Sequence, residues 1–231
     1  MYREVPPPEQ LSEVVSCLWW SDEAGPKRIV PDGCLDLVVG DGSVFVAGPD
    51  TGAWQSWSRP ELHGIRFRPG RAPSVLGVAA DELRDQRVEL ADLWGRRGAL
   101  TAERLLTDPA GLSGLVGENL RERADPEVSE LVTRLEAGVP RVSAAMRDLT
   151  VSERQLRRRF TQAVGYGPAT YLRIARLQRA IARAGTGTLA SLAADAGYAD
   201  QAHLSRDCRE LTGATPGEFF TRPAGAPRGN A

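Results

Sequence analysis

The sequence predicts an α+β protein, with a β-rich, barrel-like N-terminal domain, a helical linker and an all-α C-terminal domain. Three observations support this fold class. Residues 1–75 contain short apolar runs broken by glycine and proline, which is typical of strands and tight turns. From about residue 72 onwards the apolar residues recur at helical spacing. After Gly138 a helical pattern occurs twice.

Composition excludes several other classes of protein. Hydrophobic residues make up 42% and charged residues 26% of the chain, which is typical of a globular protein. No apolar run approaches the roughly 18–20 residues of a membrane-spanning helix, and the N-terminus lacks an apolar export signal. The cysteines, at positions 17, 34 and 208, are odd in number and widely spaced, so we expect neither a disulfide framework nor a zinc site. We therefore expect a cytoplasmic protein without a metal or cofactor.

The net charge of −1 hides an uneven distribution along the chain. Residues 1–140 contain 15 basic and 23 acidic side chains, whereas residues 141–231 contain 14 basic and 7 acidic ones. The first part therefore has a charge of −8 and the second a charge of +7. Such asymmetry indicates a C-terminal part that can face a polyanion such as nucleic acid.

The strands of the N-terminal part are predicted from three segments. Cys34–Val39 and Ser43–Ala47 flank a Gly40-Asp41-Gly42 turn, which predicts a β-hairpin. Residues 62–68 alternate in polarity until Pro69-Gly70 ends the strand. We expect these strands to form a small barrel or a curled sheet.

The following residues predict helices and a division into domains. Short amphipathic helices are expected at Pro73–Val78, Ala80–Leu83, Leu100–Leu106 and Leu112–Arg123. A further helix begins at Asp125-Pro126, with proline in its first turn, and ends at Gly138. We divide the chain into a β-rich domain (1–75), a helical linker that could form a dimer interface (76–125), an all-α domain (126–222) and a flexible tail (223–231).

The all-α domain contains an internal repeat. The shift that places Leu156-x-Arg158 on Leu204-x-Arg206 also places Gly165-x-x-Pro168 on Gly213-x-x-Pro216. Each glycine suits the left-handed residue after a helix, and each proline suits the first turn of the next helix. The repeat predicts two helix-turn-helix units, joined by one helix over residues 168–184. That helix is about 25 Å long, which allows two recognition helices about one DNA turn, roughly 34 Å, apart.

The first unit is predicted to present arginines on its second helix. Residues 142–148 form the supporting helix, 149–151 the turn, and Ser152 the N-cap. One face of the second helix bears Arg154, Arg157 and Arg158. The opposite face is apolar and consists of Leu156, Phe160 and Ala163. An apolar docking face behind an arginine stripe is typical of a DNA recognition helix, whereas an isolated stripe would indicate only a solvated surface.

The second unit repeats this arrangement with different side chains. Residues 189–194 form the supporting helix, 196–198 the turn, and Asp200 the N-cap. The second helix is expected to dock through Leu204, Cys208 and Leu211. Its outer positions are Gln201, Ala202, Ser205, Arg206 and Arg209. Glutamine can read adenine and arginine can read guanine. His203 has no partner at ligand spacing, so we expect a flanking or phosphate contact rather than a metal site.

Residues 140–222 closely resemble the C-terminal double helix-turn-helix domain of AraC-type transcription regulators. The matching segments are Ser152-x-x-x-Leu156-x-Arg158-x-Phe160, Gly165-x-x-Pro168-x-x-Tyr171-Leu172, Ala193-x-x-x-Gly197-Tyr198-x-Asp200-Gln201-x-His203-Leu204-Ser205-Arg206 and Gly213-x-x-Pro216-x-x-Phe219. The resemblance implies sequence-specific binding of double-stranded DNA by a bacterial transcription regulator. Base contacts would fall on Arg154, Arg157, Arg158, Gln201, Ala202 and Arg206, with Ser205 beside them. The family usually has phenylalanine where Leu204 and Cys208 stand, which predicts looser packing of the second unit.

The N-terminal part resembles an uncharacterised β-rich domain that precedes AraC-type domains. The resemblance rests on Pro31-Asp32-Gly33-Cys34-Leu35-Asp36-Leu37 and on Gly64-Ile65-Arg66-Phe67-Arg68-Pro69-Gly70. The cupin-like sensor domains of the wider family imply a small-molecule effector. Its candidate contacts here are Trp19, Trp20, Trp54, Trp57 and Arg66. The tryptophans could equally fill the core, and Arg66 and Arg68 could hold an anion in a polar lumen, although we favour a solvated face.

Two rival functions remain at this level. An enzyme is not expected, because the first half has only His63 as a metal-ligand histidine, and neither a catalytic triad nor a phosphate loop is present. A helical module that binds an acidic protein would explain the charge split but not the repeated cap and turn. Within the regulator hypothesis, the N-terminal domain binds an effector or serves only dimerisation or protein interaction. The chain could be a monomer or a homodimer, and an activator would also contact RNA polymerase.

Overall fold

The structure is a computed structural model that describes residues 1–58, 60–121, 124–185 and 187–220. The predicted tail at 223–231 lies outside these residues. The strands are β1 (Tyr2–Val5), β2 (Val15–Ser21), β3 (Gly25–Ile29), β4 (Asp36–Gly40), β5 (Ser43–Ala47), β6 (Trp54–Ser58), β7 (Leu62–Phe67) and β8 (Arg87–Glu89).

Most of the helices come after the strands in the order of the chain. Those that precede the C-terminal domain are α1 (Pro73–Leu76), at the start of the predicted linker, and α2 (Leu90–Trp94), α3 (Arg96–Thr107) and α4 (Leu112–Asn119) within it. Those of the C-terminal domain are α5 (Pro126–Glu136), α6 (Val142–Ala145), α7 (Glu153–Val164), α8 (Pro168–Arg183), α9 (Leu189–Ala196), α10 (Gln201–Thr212) and α11 (Pro216–Phe220). Single 3₁₀ turns lie at Glu9–Leu11, Ala80–Leu83 and Pro109–Gly111.

The main sheet is antiparallel and has the strand order β1-β2-β7-β4-β5-β8. The predicted hairpin is confirmed, because β4 and β5 pair in register from Asp36↔Ala47 to Gly40↔Ser43. Its turn contains Asp41 at φ 55° and Gly42 at φ 75°, the two positive angles that a type I′ hairpin turn requires. The strand predicted over residues 62–68 is confirmed as β7.

The sheet differs from the prediction at its edges. Among the described residues, β3 and β6 form a separate two-stranded sheet, so the strands make an open sheet and a ribbon rather than one closed barrel. The strand β8 lies in the segment predicted to be a helical linker, and it pairs with the edge strand β5. The β-rich part therefore extends past residue 75. The strand β8 is too short for its sequence to show alternating polarity. Its pairing with the edge strand β5 identifies it as a strand.

One face of the main sheet packs against the linker helices to form the N-terminal core. Leu37, Ile65 and Phe67 from the central strands are fully buried there, together with Leu90 and Val116 from the helices. Because β7 lies between β2 and β4, its inward side chains are covered on every side. This core holds the linker helices on the sheet, so the two predicted segments form one packed body.

The C-terminal domain has the repeat that the sequence predicts. Helices α7 and α10 occupy equivalent positions of the two copies, and each contains 12 residues. Gly165 and Gly213 follow them at φ +99° and +70°, as the predicted left-handed residues. Helix α8 joins the units, and α9 ends at Ala196, so the second turn begins one position later than predicted.

The N-terminal domain packs directly on the C-terminal domain. Gln178 Nε2 on α8 donates to the carbonyl oxygen of Pro31 at 2.6 Å. Gly33 lies against the ring of Tyr171, where an ideal Cβ would be 2.7 Å from the ring atom Cε2. These contacts join a loop of the sheet domain to the helix that connects the two helix-turn-helix units.

Candidate nucleic-acid interface

Both recognition helices begin with a side-chain cap at the end that is predicted to face DNA. Ser152 Oγ accepts from the amide of Gln155 at 3.4 Å, and Asp200 Oδ1 accepts from the amide of His203 at 2.7 Å. Both caps were predicted from the sequence and are confirmed. Each helix then presents the positive end of its dipole at the same end as its outer polar side chains, an arrangement that favours phosphate.

The arginine stripe on α7 is exposed in two of its three positions. Arg154 and Arg158 lie in solvent, and no hydrogen bond or ion pair among the described residues engages either guanidinium. Arg157 is half-buried and binds Glu153, with Nη2 2.6 Å from Oε1. Arg154 and Arg158 are therefore the side chains of this stripe that can reach DNA without first leaving an ion pair.

Helix α7 docks through the apolar face that the sequence predicts. Leu156, Phe160 and Val164 are fully buried, and Ala163 is half-buried. The ring of Phe160 meets that of Tyr171 on α8 edge-on, with centroids 5.6 Å apart. An edge-to-face pair of this kind is a favourable aromatic contact.

Sequence reasoning missed the neighbouring Arg159, which does not belong to the exposed stripe. Its guanidinium binds Asp125, with Nε 2.6 Å from Oδ2, and its Nη2 lies 3.1 Å from Glu127 Oε2. These bonds raise the pKa of Arg159, the hydrogen bond to Asp125 being the main cause. Since Asp125 also caps α5 through the amides of residues 127 and 128, one carboxylate joins two helices.

The predicted contact residues of α10 are also on its outer surface. Gln201, Ala202 and Arg206 are exposed, and Ser205 is half-buried with its hydroxyl donating to the carbonyl oxygen of Gln201 at 2.8 Å. The second unit thus offers one amide and one guanidinium for base edges where the first offers arginines.

The docking side of α10 is closed to solvent. Leu204 and Cys208 are fully buried and Leu211 is 2% exposed. Burial raises the pKa of the Cys208 thiol, and Thr212 donates to the carbonyl oxygen of Cys208 at 2.6 Å. The smaller side chains that stand where phenylalanines were expected are enclosed completely, and the looser packing of the second unit stays a prediction.

A second unpredicted ion pair lies beside this docking stripe. Asp207 is buried at 5% exposure, and Arg173 Nε on α8 lies 2.9 Å from its Oδ1. Arg173 also binds the carboxylate of Glu210, and His203 Nε2 is 3.7 Å from Asp207 Oδ2. A sequence comparison of the two repeats could have found it, because Arg159 and Asp207 occupy equivalent positions with opposite charges.

The N-terminal domain contacts the recognition helices at their other ends. Gly165, just after α7, lies against Pro49, and its carbonyl oxygen accepts from Arg84 Nη1 at 3.4 Å. An ideal Cβ on Gly52 would be 3.8 Å from the carbonyl oxygen of Glu210, near the end of α10. The capped ends, which bear the predicted base contacts, are thus opposite to the ends that the sheet domain covers.

The four tryptophans proposed for effector binding do not share one environment. Trp19 is 3% exposed and packs in a small cluster on the second face of the sheet, whereas Trp57 is 74% exposed. Trp20 follows Trp19 on the same strand and therefore points to the opposite face. Trp54 lies under the guanidinium of Arg87, 3.9 Å from its ring centroid. The structure thus places these side chains in separate surroundings.

Arg66 is the largest departure from the sequence expectations. It is 7% exposed rather than on a solvated face. Its Nε lies 3.3 Å from both Asp32 Oδ2 and Asp36 Oδ1, and its Nη1 lies 3.3 Å from Glu4 Oε1. Because three carboxylates surround it, Arg66 has no unneutralised charge to offer an anionic effector. Arg68 is exposed, and its Nε donates to the carbonyl oxygen of Ser12 at 2.6 Å.

Burial also sets the protonation of groups near Arg66. It raises the pKa of Asp36 to about 6, against the opposing attraction of Arg66. It raises the pKa of the Cys17 thiol to about 11 and the pKa of the Cys34 thiol well above its usual range. The two thiols are therefore protonated at neutral pH, which disfavours a thiolate-based switch.

Two other kinds of site are absent from the described residues. None of their His, Cys, Asp and Glu side chains form a group of three or more that could hold a metal ion. None of the helices formed by these residues is long and apolar enough to cross a bilayer.

The fold and the site together define a protein with a paired helix-turn-helix domain behind a β-rich N-terminal domain. Residues 146–222 match a helix-turn-helix domain family, and residues 3–89 match a family described as a domain of unknown function (DUF6597). An AraC-like transcription regulator of Streptomyces lividans is 36% identical over 106 residues. That match covers 43% of this chain and 34% of the relative, so the chain spans about a third of its length. The chain thus has a helix-turn-helix domain behind a domain of unknown function, and part of it is similar to an AraC-like regulator.

Among solved structures the chain is similar to ToxT of Vibrio cholerae. One ToxT structure is 10% identical, with a TM-score of 0.45 over 95% of this chain and 96% of that one. Another, with a bound unsaturated fatty acid, is 9% identical, with a TM-score of 0.43 over 95% and 93% of the chains. The likeness is too distant to transfer that ligand to this chain.

Proposed function

We propose that this chain is a sequence-specific transcription regulator that places α7 and α10 in two successive major grooves of a double-stranded operator. The main supporting observation is the matched pair of capped helices, each docked by an apolar stripe and each exposing polar side chains at its capped end. Arg154 and Arg158 would read or clamp one half-site, and Gln201 and Arg206 the other. Arg157 would also contact the first half-site if it left its ion pair with Glu153 and bound a phosphate or a base instead.

The charge distribution supports this assignment. Residues 141–231 have a charge of +7, and each capped helix adds the positive end of its dipole. Phosphate contacts of this kind provide affinity that falls with salt, whereas base contacts provide preference for one sequence. The proposal therefore requires both a salt dependence and a sequence preference.

The N-terminal domain would act on DNA reading through the loop that contacts α8. Pro31 and Gly33 both touch that helix, and Asp32 between them binds the buried Arg66. A ligand or partner that alters the Arg66 cluster would thus be felt at α8. Control by a small molecule, for which the tryptophans were predicted, and control by dimerisation alone are two versions of the same proposal.

The test is a selection of binding sites from a random duplex library with the full chain, followed by affinity measurements at several salt concentrations. We expect an enriched motif of two short blocks about one helical turn apart, preferred at least roughly 10³-fold over scrambled DNA. Arg154→Ala with Arg158→Ala should remove one block. Arg104→Ala, which changes an exposed arginine of α3, is the matched control and should leave the motif unchanged.

Equal affinity for selected and scrambled DNA would contradict the proposal. It would favour the alternative of a basic helical module that binds acidic partners without reading sequence.

A further inference from the structure

Each recognition helix is tied to the long helix that precedes its unit by an ion pair, and the two pairs have exchanged charges. In the first unit, Arg159 on α7 binds Asp125 at the start of α5, with Nη2–Oδ1 and Nε–Oδ2 distances of 2.5 and 2.6 Å. In the second unit, Arg173 on α8 binds Asp207 on α10, with Nε 2.9 Å from Oδ1. We call these the charge-exchanged pairs.

Both members of the pairs obey the repeat of the sequence. The shift that carries Leu156 onto Leu204 also carries Asp125 onto Arg173 and Arg159 onto Asp207. The carboxylate therefore stands before the recognition helix in one unit and within it in the other. Equivalent places are linked in both units, with opposite polarity.

Each arginine also bridges to a second carboxylate. Arg159 Nη2 lies 3.1 Å from Glu127 Oε2, and Arg173 Nη2 binds Glu210. The two arginine side chains have nearly the same exposure, 32% and 35%. Because a guanidinium is planar and donates in fixed directions, its bonds to two carboxylates constrain the rotation of the helix that they join.

The exchange of polarity also separates correct from incorrect docking. If the face of α7 bearing Arg159 met the site of Arg173, two guanidiniums would oppose each other. If the face of α10 bearing Asp207 met Asp125, two carboxylates would do so. The repulsion between like charges disfavours both of these alternatives. Helix α7 is therefore matched to the start of α5, and α10 is matched to α8.

We propose that the charge-exchanged pairs are positioning residues, each of which orients one recognition helix so that its capped end can read bases. The inference rests on the proposed function, since it concerns how each unit reads DNA. The four residues are not among the predicted base contacts and act through the helices that they hold. Breaking one pair therefore removes base readout by its own unit and spares the other.

The experiment is the same library selection, made with full-length Arg159→Glu and Arg173→Glu. Each substitution places a carboxylate next to two other carboxylates, and the two substituted side chains are similarly exposed in the wild-type protein. We expect Arg159→Glu to reduce preference in one block at least about tenfold, equivalent to about 1.4 kcal/mol, while the other block changes less than about threefold. Arg173→Glu should show the opposite pattern. Arg183→Glu, with the same charge change at the end of α8, should weaken neither block selectively.

A reciprocal variant keeps the test decisive if Arg173→Glu does not fold. Combining Arg173→Glu with Asp207→Arg restores an ion pair with the polarity of the first unit. Recovery of folding and of the lost block supports the inference, and continued loss overturns it. Equal flattening of both blocks by either single variant, or no change in either, also overturns it.

Hydrogen exchange without DNA separates this inference from the proposed function. Arg159→Glu should raise amide exchange in α7 but not in α10, and Arg173→Glu should do the reverse. If the wild-type protein enriches no motif, the proposed function fails while the exchange pattern still supports or refutes the positioning role.

Discussion

The two helix-turn-helix units have one backbone plan but hold their recognition helices by different means. Helices α7 and α10 have the same length, a side-chain cap before them and a left-handed glycine after them. At equivalent places of the repeat, Phe160 and Cys208 are both fully buried. Phe160 packs against the ring of Tyr171, whereas Cys208 meets the hydroxyl of Thr212. The backbone plan therefore does not depend on an aromatic residue at this position.

The outer faces of the units differ more than their inner faces. The places of Arg154, Arg157 and Arg158 are taken in the second unit by Ala202, Ser205 and Arg206. Of these equivalent positions, only those of Arg158 and Arg206 have arginine in both units. The first unit is thus the more strongly charged of the two, and under the proposed function we expect it to supply more of the phosphate attraction.

The largest expected difference between the units is in their cores. Phe160→Ala should lower the free energy of unfolding by about 3–5 kcal/mol, because a large buried ring leaves a cavity. Cys208→Ala should cost only about 1 kcal/mol, because one heavy atom is removed. Urea unfolding of the full-length variants measures both, and equal costs would show that the two cores are equivalent after all.

The contact with the N-terminal domain should also distinguish the units. Gly33 has φ +91°, and its Cβ would lie 2.7 Å from the ring of Tyr171, which packs in the core of the first unit. Gly33→Ala should therefore destabilise the protein by about 2–3 kcal/mol through backbone strain and steric overlap. Thermal unfolding is the measurement.

Gly52→Ala is the matched control on the side of the second unit. Its nearest neighbour would be the carbonyl oxygen of Glu210 at the ordinary distance of 3.8 Å. The cost should stay within about 0.5 kcal/mol, as for most surface changes. A large loss here would mean that the sheet domain presses on both units alike.

The comparison of the outer faces concerns the one arginine that both units share. Arg158→Ala and Arg206→Ala should each weaken binding to the selected operator by about 1–3 kcal/mol if each makes a bidentate base contact. Fluorescence anisotropy with selected and scrambled duplexes measures this loss. If one variant loses equally on both duplexes, its arginine binds phosphate, and that unit contributes position rather than sequence preference.

The sequence by itself determined the local structure of the C-terminal domain. Ser152, Asp200, Gly165 and Gly213 each encode a helix end through their own cap or backbone preference, so they could be assigned without knowing their neighbours. The apolar stripes and the exposure of Arg154 and Arg158 follow from helical periodicity in the same way. The hairpin at residues 36–47 was likewise predictable, because its turn and both strands are adjacent in the chain.

Only the tertiary structure decided which distant groups meet. In the sequence, Arg66 is one polar residue of an alternating strand. In the fold, β2 and β4 flank that strand, and Arg66 is buried in ion pairs with Asp32 and Asp36. The strand β8 exists because the edge of β5 is free to pair with it. The charge-exchanged pairs join residues that are far apart in the chain, Asp125 with Arg159 and Arg173 with Asp207. Local preference fixes helix ends and faces, but long-range ion pairs and edge pairing depend on how the chain folds back on itself.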